Sequence, residues 1–231
     1  MIIRRAVSSD VDQIISFTKN TYQWGDYIPS VIHEWIKDGS VYVAVTDDKV
    51  VGMVNMVPLQ TGIAWLEGIR VHPDYRRRGI GRALTEHVIN EAIRLGAGYV
   101  MLMIAEWNEA SRRLAKSLGF QEVLTLHTGV ANPSKVNVLR GEEARGLIRE
   151  ALKRSNGYYC TTRGHWLCTR ANEDYVMSII SEVYLGEGIG LGEFSVGPPT
   201  VPNRLETMST EDGSFHEYYG RYMVYEKALR Q

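Results

Sequence analysis

The chain has 231 residues, a formal net charge of −1, and 44% hydrophobic against 23% charged residues. That length exceeds one minimal domain and falls short of two full ones, so one domain with a substantial extension is expected. Near-neutral charge argues against a general nucleic-acid binder, which carries a basic excess. No apolar run approaches the ~18 residues needed to cross a bilayer.

The N-terminal stretch MIIRRAVSSD has no long apolar core. It reads as a first strand over 2–7, not a signal peptide, and the expected location is cytoplasmic, with no membrane partner. Ser8-Ser9-Asp10 offers helix caps, and Val11, Ile14, Ile15 and Thr18 follow a helical period. A second helix starts near Pro29-Ser30, carries Val31, Ile32, Trp35 and Ile36, and stops at Gly39. β-rich runs at 41–46 and 50–57 flank a hairpin turn at Asp47-Asp48-Lys49. A strand over 63–71 leads to a helix from Ile80 to Leu95, stopped by Gly96-Ala97-Gly98. The apolar run YVMLMIA at 99–105 suits a central strand covered on both faces. A helix over 109–118 and a strand over 119–127 follow. The order β-α-α-β-β-β-α-β-α-β is an α/β layout with mixed strand directions.

After Gly129 the texture changes. A helix is expected near 142–154, a hairpin over 157–169, and a helix capped by Asn172 running through Tyr184. A Gly- and Pro-rich stretch covers 186–202, its part from Gly186 to Gly192 reads as a mobile flap or a turn-rich connector, and a short β segment lies around Tyr222–Tyr225. Residues 1–129 are thus read as the main domain and 130–231 as a smaller α+β unit. Cys160 and Cys168 flank Arg163-Gly164, a turn. A three-residue turn would set them face to face; two buried, reduced thiols are the expectation, with a disulfide the alternative, unusual in a mesophile's cytosol but not in a hyperthermophile's. No metal site is expected.

The segment Arg76-Arg77-Arg78-Gly79-Ile80-Gly81 lies between a strand and a helix. Free N–H groups at a helix start, the helix dipole and three arginines together make a seat for an anion such as a pyrophosphate. Glycines let the backbone approach that anion closely. A solvated basic turn is the plainer alternative.

WLEGIRVHPDYRRRGIGRAL resembles the acetyl-CoA signature of the GNAT family of acetyltransferases, with Arg76, Gly79 and Gly81 matching its Gln/Arg-x-x-Gly-x-Gly/Ala pattern. Downstream, Asn108, Leu114 and Leu118-Gly119-Phe120 match that family's next motif. The resemblance covers residues 1–127 and implies a GNAT fold: a central mixed, splayed sheet flanked by helices, with pantetheine in the splay. It implies acetyl-CoA as co-substrate and an amine as acceptor. Ile69, Arg70 and Val71 would present the strand to the pantetheine arm. Arg76, Arg77, Arg78, Gly79, Ile80, Gly81 and Arg82 would hold the pyrophosphate. Asn108, with Ser111 beside it, would bind pantetheine, a role compatible with capping the helix.

The implied reaction is direct attack of an amine on the thioester, helped by a base that takes the amine's proton. Glu67 is the first candidate, since a two-residue period puts it on the face of Ile69 and Val71. Glu106 is a weaker one, and His72 reads as structural. One departure from the family stands out: its usual general acid is a tyrosine after the motif's leucine, and here that position is Ala115. Phenols at Tyr158-Tyr159, Tyr218-Tyr219 and Tyr222 are the candidates to replace it, with core packing the alternative. The run TYQWGDYIPSVIHEW resembles the entry segment of the histidine N-acetyltransferase-like branch. Tyr22, Trp24, Asp26 and Tyr27 are read as acceptor contacts, with Asp26 or Glu34 attracting an ammonium group. The reading is an N-acetyltransferase acting on a primary amine of a small molecule or amino acid. A protein or peptide acetyltransferase and a non-catalytic acyl-CoA sensor are the alternatives, and a homodimer is left open.

Overall fold

A computed structural model describes residues 1–229. Contacts divide the chain into two units, residues 1–100 with 228–229, and residues 101–227. Residues 129 and 130 lie within a continuous strand, Gln121–Ala131, and the contact division falls after Val100.

The first unit starts with β1 (Ile2–Arg5), α1 (Val11–Thr18) and α2 (Ile28–Lys37). β2 (Val41–Thr46), β3 (Lys49–Leu59) and β4 (Ile63–Val71) follow, then α3 (Ile80–Arg94). The sheet order is β1-β2-β3-β4, every neighbour antiparallel. The hairpin turn is tighter than expected: Lys49 already pairs with Thr46, and Asp47 and Asp48 alone turn the chain, at φ of 49° and 58°. Asx residues tolerate that left-handed backbone better than most. The apolar stripes of α1 and α2 bury Val11, Ile14, Phe17, Ile28, Ile32 and Trp35 in one cluster with Val41, Val43 and Met53 of the sheet. The opposite face lies under α3, since a Cβ added at Gly52 would stand 3.0 Å from Ile80 and Leu84 side chains.

In the second unit, β5 (Tyr99–Ala105) leads to α4 (Glu109–Ser117), β6 (Gln121–Ala131) and β7 (Asn137–Leu139). Then come α5 (Gly141–Arg154), the hairpin β8 (Tyr158–Thr161) and β9 (Leu167–Arg170), and α6 (Glu173–Ile179). β10 (Val183–Leu185), β11 (Ile189–Leu191), β12 (Phe194–Val196), β13 (Leu205–Ser209) and β14 (Phe215–Ala228) complete it. The sheet order is β5-β14-β6-β13-β12-β11-β10-β7, mixed because β12 and β13 run parallel. The α/β class expected from the sequence is the class observed.

Four expectations for this half need correction. The helix capped by Asn172, whose side chain accepts from Tyr175 N at 2.8 Å, ends at Ile179, and Tyr184 lies in β10. Residues 186–192 are neither flap nor connector, for they hold the buried strand β11, with buried β12 just after them. Glycine is needed there for close approach, since a Cβ at Gly190 would lie 2.0 Å from the Thr200 carbonyl oxygen. The short segment at 222–225 is part of β14, which runs along β6 with bulges. Finally, Cys160 and Cys168 form a disulfide instead of two thiols. They pair directly across β8 and β9, joined by a connection over 162–166 longer than the three residues expected.

Candidate functional site

Strand β4 decides how the candidate residues are sorted. Met53 of β3 pairs with Arg70 and Asn55 pairs with Glu67, so Gly68 and Ile69 of β4 together oppose Val54 alone. This is a β-bulge, with Gly68 at a φ of 64°. Glycine is required twice over there, because an added Cβ would lie 2.8 Å from Trp35 and 3.0 Å from Ile28.

The bulge overturns the simple alternation expected of this strand. Directly paired residues share a face, and Met53 and Asn55 are two apart on one strand. Glu67 and Arg70 therefore share the face that carries α1 and α2. Ile69 and Val71 point to the other, since Val71 pairs with Gly52 under α3. Glu67 accepts a hydrogen bond from Asn55 Nδ2 at 2.8 Å. Asn55 is fully buried and was not singled out in the sequence, where a mid-strand asparagine carries no distinguishing signal.

Arg70 donates from Nε to Asp26 Oδ2 at 2.6 Å, from Nη2 to Asp26 Oδ1 at 3.1 Å, and from Nη1 to the Ile69 carbonyl at 3.0 Å. The Asp26 side chain is 0% exposed. Its carboxylate is spent on Arg70 and on the Ile28 N–H (3.1 Å) that opens α2, so it does not present the ammonium-attracting group expected of it. Glu34 is exposed on α2. Arg70 lies 5.3 Å from the Tyr22 ring and 5.5 Å from the Tyr27 ring. Tyr22 stacks on Trp24 at 5.2 Å and 7°, and Tyr27 meets Trp35 edge-on at 6.0 Å. Trp24 is 74% exposed. Burial opposes the Arg70 charge, but Asp26 and the neighbouring phenols hold its pKa above the ordinary arginine value. Burial pushes the Tyr27 phenol up, so it stays protonated near neutrality. Glu67, Arg70, Tyr22, Trp24, Asp26 and Tyr27 all belong to this first unit.

The basic loop follows β4 on the α3 side. Arg76 to Gly79 are exposed. Arg77 (φ 64°) and Gly79 (φ 79°) are left-handed, and Gly79 opens α3. The first helical bond runs from Ala83 N to Gly79 O at 2.9 Å. The helix therefore supplies no acceptor for the N–H groups of Ile80, Gly81 and Arg82. Arg76 donates to the Val71 carbonyl (3.3 Å), Arg78 rests over Tyr75 (5.1 Å), and Arg82 pairs with Glu86 at 3.3 Å. This is a turn of cations at a helix start, which suits a diphosphate. His72 accepts from Asp74 N at 3.3 Å and lies between Phe17 and Tyr75.

In the second unit, Asn108 caps α4 through Oδ1, which accepts from Ser111 N at 3.2 Å, so Nδ2 is the group left for a ligand. Glu106 is paired with Arg221, which holds its carboxyl below the usual carboxylate range. Ala115 is 3% exposed, enclosed in the turn that ends α4. Of the phenols, Tyr158 donates to Glu226 (3.1 Å) and is buried, as is Tyr159, and Tyr219 stacks on Trp166. Tyr222 meets Trp166 edge-on. Tyr218 is half exposed, with its hydroxyl 2.9 Å from His127 Nδ1.

Residues 11–120 match the model of the Acetyltransferase (GNAT) family, and the chain carries a GNAT acetyltransferase domain. Over 87 residues, 36% of this chain and 27% of the relative, it is 37% identical to a histidine N-acetyltransferase of Xenopus tropicalis. Over 59 residues, 26% of this chain and 40% of the relative, it is 46% identical to the [ribosomal protein bS18]-alanine N-acetyltransferase of Escherichia coli K12. The matches thus span well under half of either relative. A crystal structure of a candidate acetyltransferase from Thermoplasma acidophilum is similar over 99% of this chain and 100% of its own, with a TM-score of 0.62. At 20% identity that similarity concerns the fold. Among the described residues, no helix is long and apolar enough to cross a membrane.

Proposed function

We propose that the protein transfers an acetyl group from acetyl-CoA to a primary amine of a small molecule or amino acid, by direct attack of the amine on the thioester. The observation that carries this reading is the β4 bulge. It gives Glu67 to one face of the strand, with the aromatic residues of the α1–α2 segment, and Ile69 and Val71 to the face of the basic loop. One strand then serves both substrates from its two sides. The helix-start N–H groups of Ile80 to Arg82, with Arg76 to Arg78, would hold the pyrophosphate, and Asn108 Nδ2 the pantetheine amide. Acetyl-CoA would supply an activated acyl carbon and a thiol leaving group. Glu67, fixed by Asn55, would take the amine's proton directly or through a water.

The acceptor is proposed as a small amine because the α1–α2 segment offers the exposed indole of Trp24, a ring face that takes a compact cation. Relatives named for histidine and for a ribosomal-protein alanine support amine acetylation and divide on acceptor size. Thiol release from acetyl-CoA across a panel of amino acids, polyamines and peptide N-termini tests the reading. Acetyl-CoA binding with no amine-stimulated release would sink it in favour of a sensor.

A further inference from the structure

The pair Asp26–Arg70 has no assigned task in the transfer step. Neither group is placed to bind a substrate: every oxygen of Asp26 and each nitrogen of the Arg70 guanidinium has a protein partner. The pair is nevertheless buried, at 0% and 12% side-chain exposure. Taking two charges out of water is costly, and the cost is met only when geometry and hydrogen bonding are complete. Here both conditions hold, with a two-pronged guanidinium–carboxylate contact of the strong kind.

What the pair joins is informative. Arg70 follows the bulge at Gly68–Ile69 and fastens to its own strand through the Ile69 carbonyl. Asp26 stands where the α1–α2 segment enters α2 and caps the Ile28 N–H. Between α1 and Asp26 the chain makes the small turn Tyr22–Gly25, closed by the Gly25 N–H donating to the Tyr22 carbonyl at 3.0 Å. That turn carries the exposed Trp24, stacked on Tyr22, which itself lies against the Arg70 guanidinium. A continuous ladder runs Trp24, Tyr22, Arg70, Tyr27, Trp35, and the cation is its middle rung. The acceptor-side turn is therefore hung on the same residue that fixes the bulge beside Glu67.

We infer that Asp26 and Arg70 are positioning residues: their ion pair holds the Tyr22–Trp24 turn in register with the bulged strand, so that an acceptor seated on the turn meets Glu67. This rests on the acetyltransferase reading above. Loosening the pair moves the acceptor side against the thioester side without touching the coenzyme loop.

The test uses the full chain with Asp26→Asn and Arg70→Lys. Arg70→Lys keeps the charge and gives up the two-pronged contact, and it is the variant to rely on if Asp26→Asn fails to fold. Acceptor KM is expected to rise about tenfold or more with a fall in kcat, because small misplacements in a bimolecular site are expensive. Acetyl-CoA affinity is expected to stay within about twofold, the basic loop being untouched. Arg70→Lys should retain part of what Asp26→Asn loses. Hydrogen exchange supplies a readout independent of turnover: amides of 22–28 and 68–71 should exchange faster together in either variant. Unchanged acceptor KM in folded variants, equal losses for both substrates, or faster exchange at 22–28 with 68–71 unaltered would overturn the inference. A wild-type protein that releases no thiol with any amine would instead fail the acetyltransferase reading, and the exchange result would still decide the coupling.

Discussion

Gly68→Ala is the substitution most directly set by geometry. At a φ of 64° an L-residue is strained, by about 1–2 kcal/mol. The new methyl would also start 2.8 Å from Trp35 Cζ3, 3.0 Å from Ile28 Cδ1 and 3.2 Å from Trp35 Cη2, inside the core cluster. Overpacking of that kind adds roughly 1–3 kcal/mol. The sum, about 2–5 kcal/mol, corresponds to a Tm lower by roughly 4–20 °C for a chain of this size. Gly96→Ala is the control. Its φ is 77°, yet nothing lies within 4 Å of its added Cβ, so it feels the backbone strain alone. Paired thermal melts, followed by circular dichroism, isolate the contact with Trp35. Activity separates them further, because relaxing the bulge restores simple alternation and turns Glu67 away from Arg70, whereas Gly96 lies at the far end of α3. Equal Tm losses for the two variants, or full amine-dependent activity in Gly68→Ala, would refute the argument.

Glu67→Gln is expected to lower kcat by about 10²–10⁴-fold with acetyl-CoA affinity intact, the range for removal of a general base; stopped-flow thiol release measures it. Asn55→Ala takes away the 2.8 Å donor that orients Glu67, and should lower kcat with a smaller effect than Glu67→Gln in the same assay. The double reversal Arg76→Glu with Arg78→Glu should weaken coenzyme A binding by roughly tenfold to a few hundredfold at low salt, the difference shrinking in 1 M salt; calorimetry at two ionic strengths checks both parts. Asp10 is buried against Arg4, whose hydrogen bonds hold its carboxyl below the ordinary aspartate value. Its folded pKa being depressed, its stabilisation is present above about pH 4 and is lost as pH falls through the folded value. Asp10→Asn should flatten the acid limb of a Tm–pH curve.

The first half of the fold was legible because its elements are long and strictly periodic. The strand at 63–71 and the helix starting at Ile80 appear at the residues where apolar spacing and Gly-Ile-Gly put them. The basic loop was legible for the same reason, lying between two well-marked elements. Sorting of the site residues was not, because Glu67, Ile69 and Val71 obey a two-residue period on paper and the bulge breaks it. A signal existed: a lone glycine inside a strand pattern marks a bulge or a close backbone approach, and Gly68 is both. The role of Arg70 could not be read at all, since its partner Asp26 is 44 residues away in sequence. In the second half, β7 and β10 to β13 are short strands stabilised by distant partners, which local patterning does not reveal. The disulfide likewise depends on a hairpin register that composition alone leaves undetermined.

The order β5-β14-β6 has a further meaning for how the chain is made. β5 and β6 are synthesised well before the strand that pairs with β6 along its length, Phe215–Ala228. Lys227 reaches the Leu118 carbonyl (2.9 Å), and Arg112 of α4 reaches the Tyr225 hydroxyl (3.3 Å). Until those residues leave the ribosome, β6 keeps an open edge of unpaired backbone groups, the kind of edge that recruits other strands. Such long-range pairing is slow to form. A nascent chain stopped before residue 215 would carry β6 with that edge open, and chaperone capture should be strongest over that interval of synthesis.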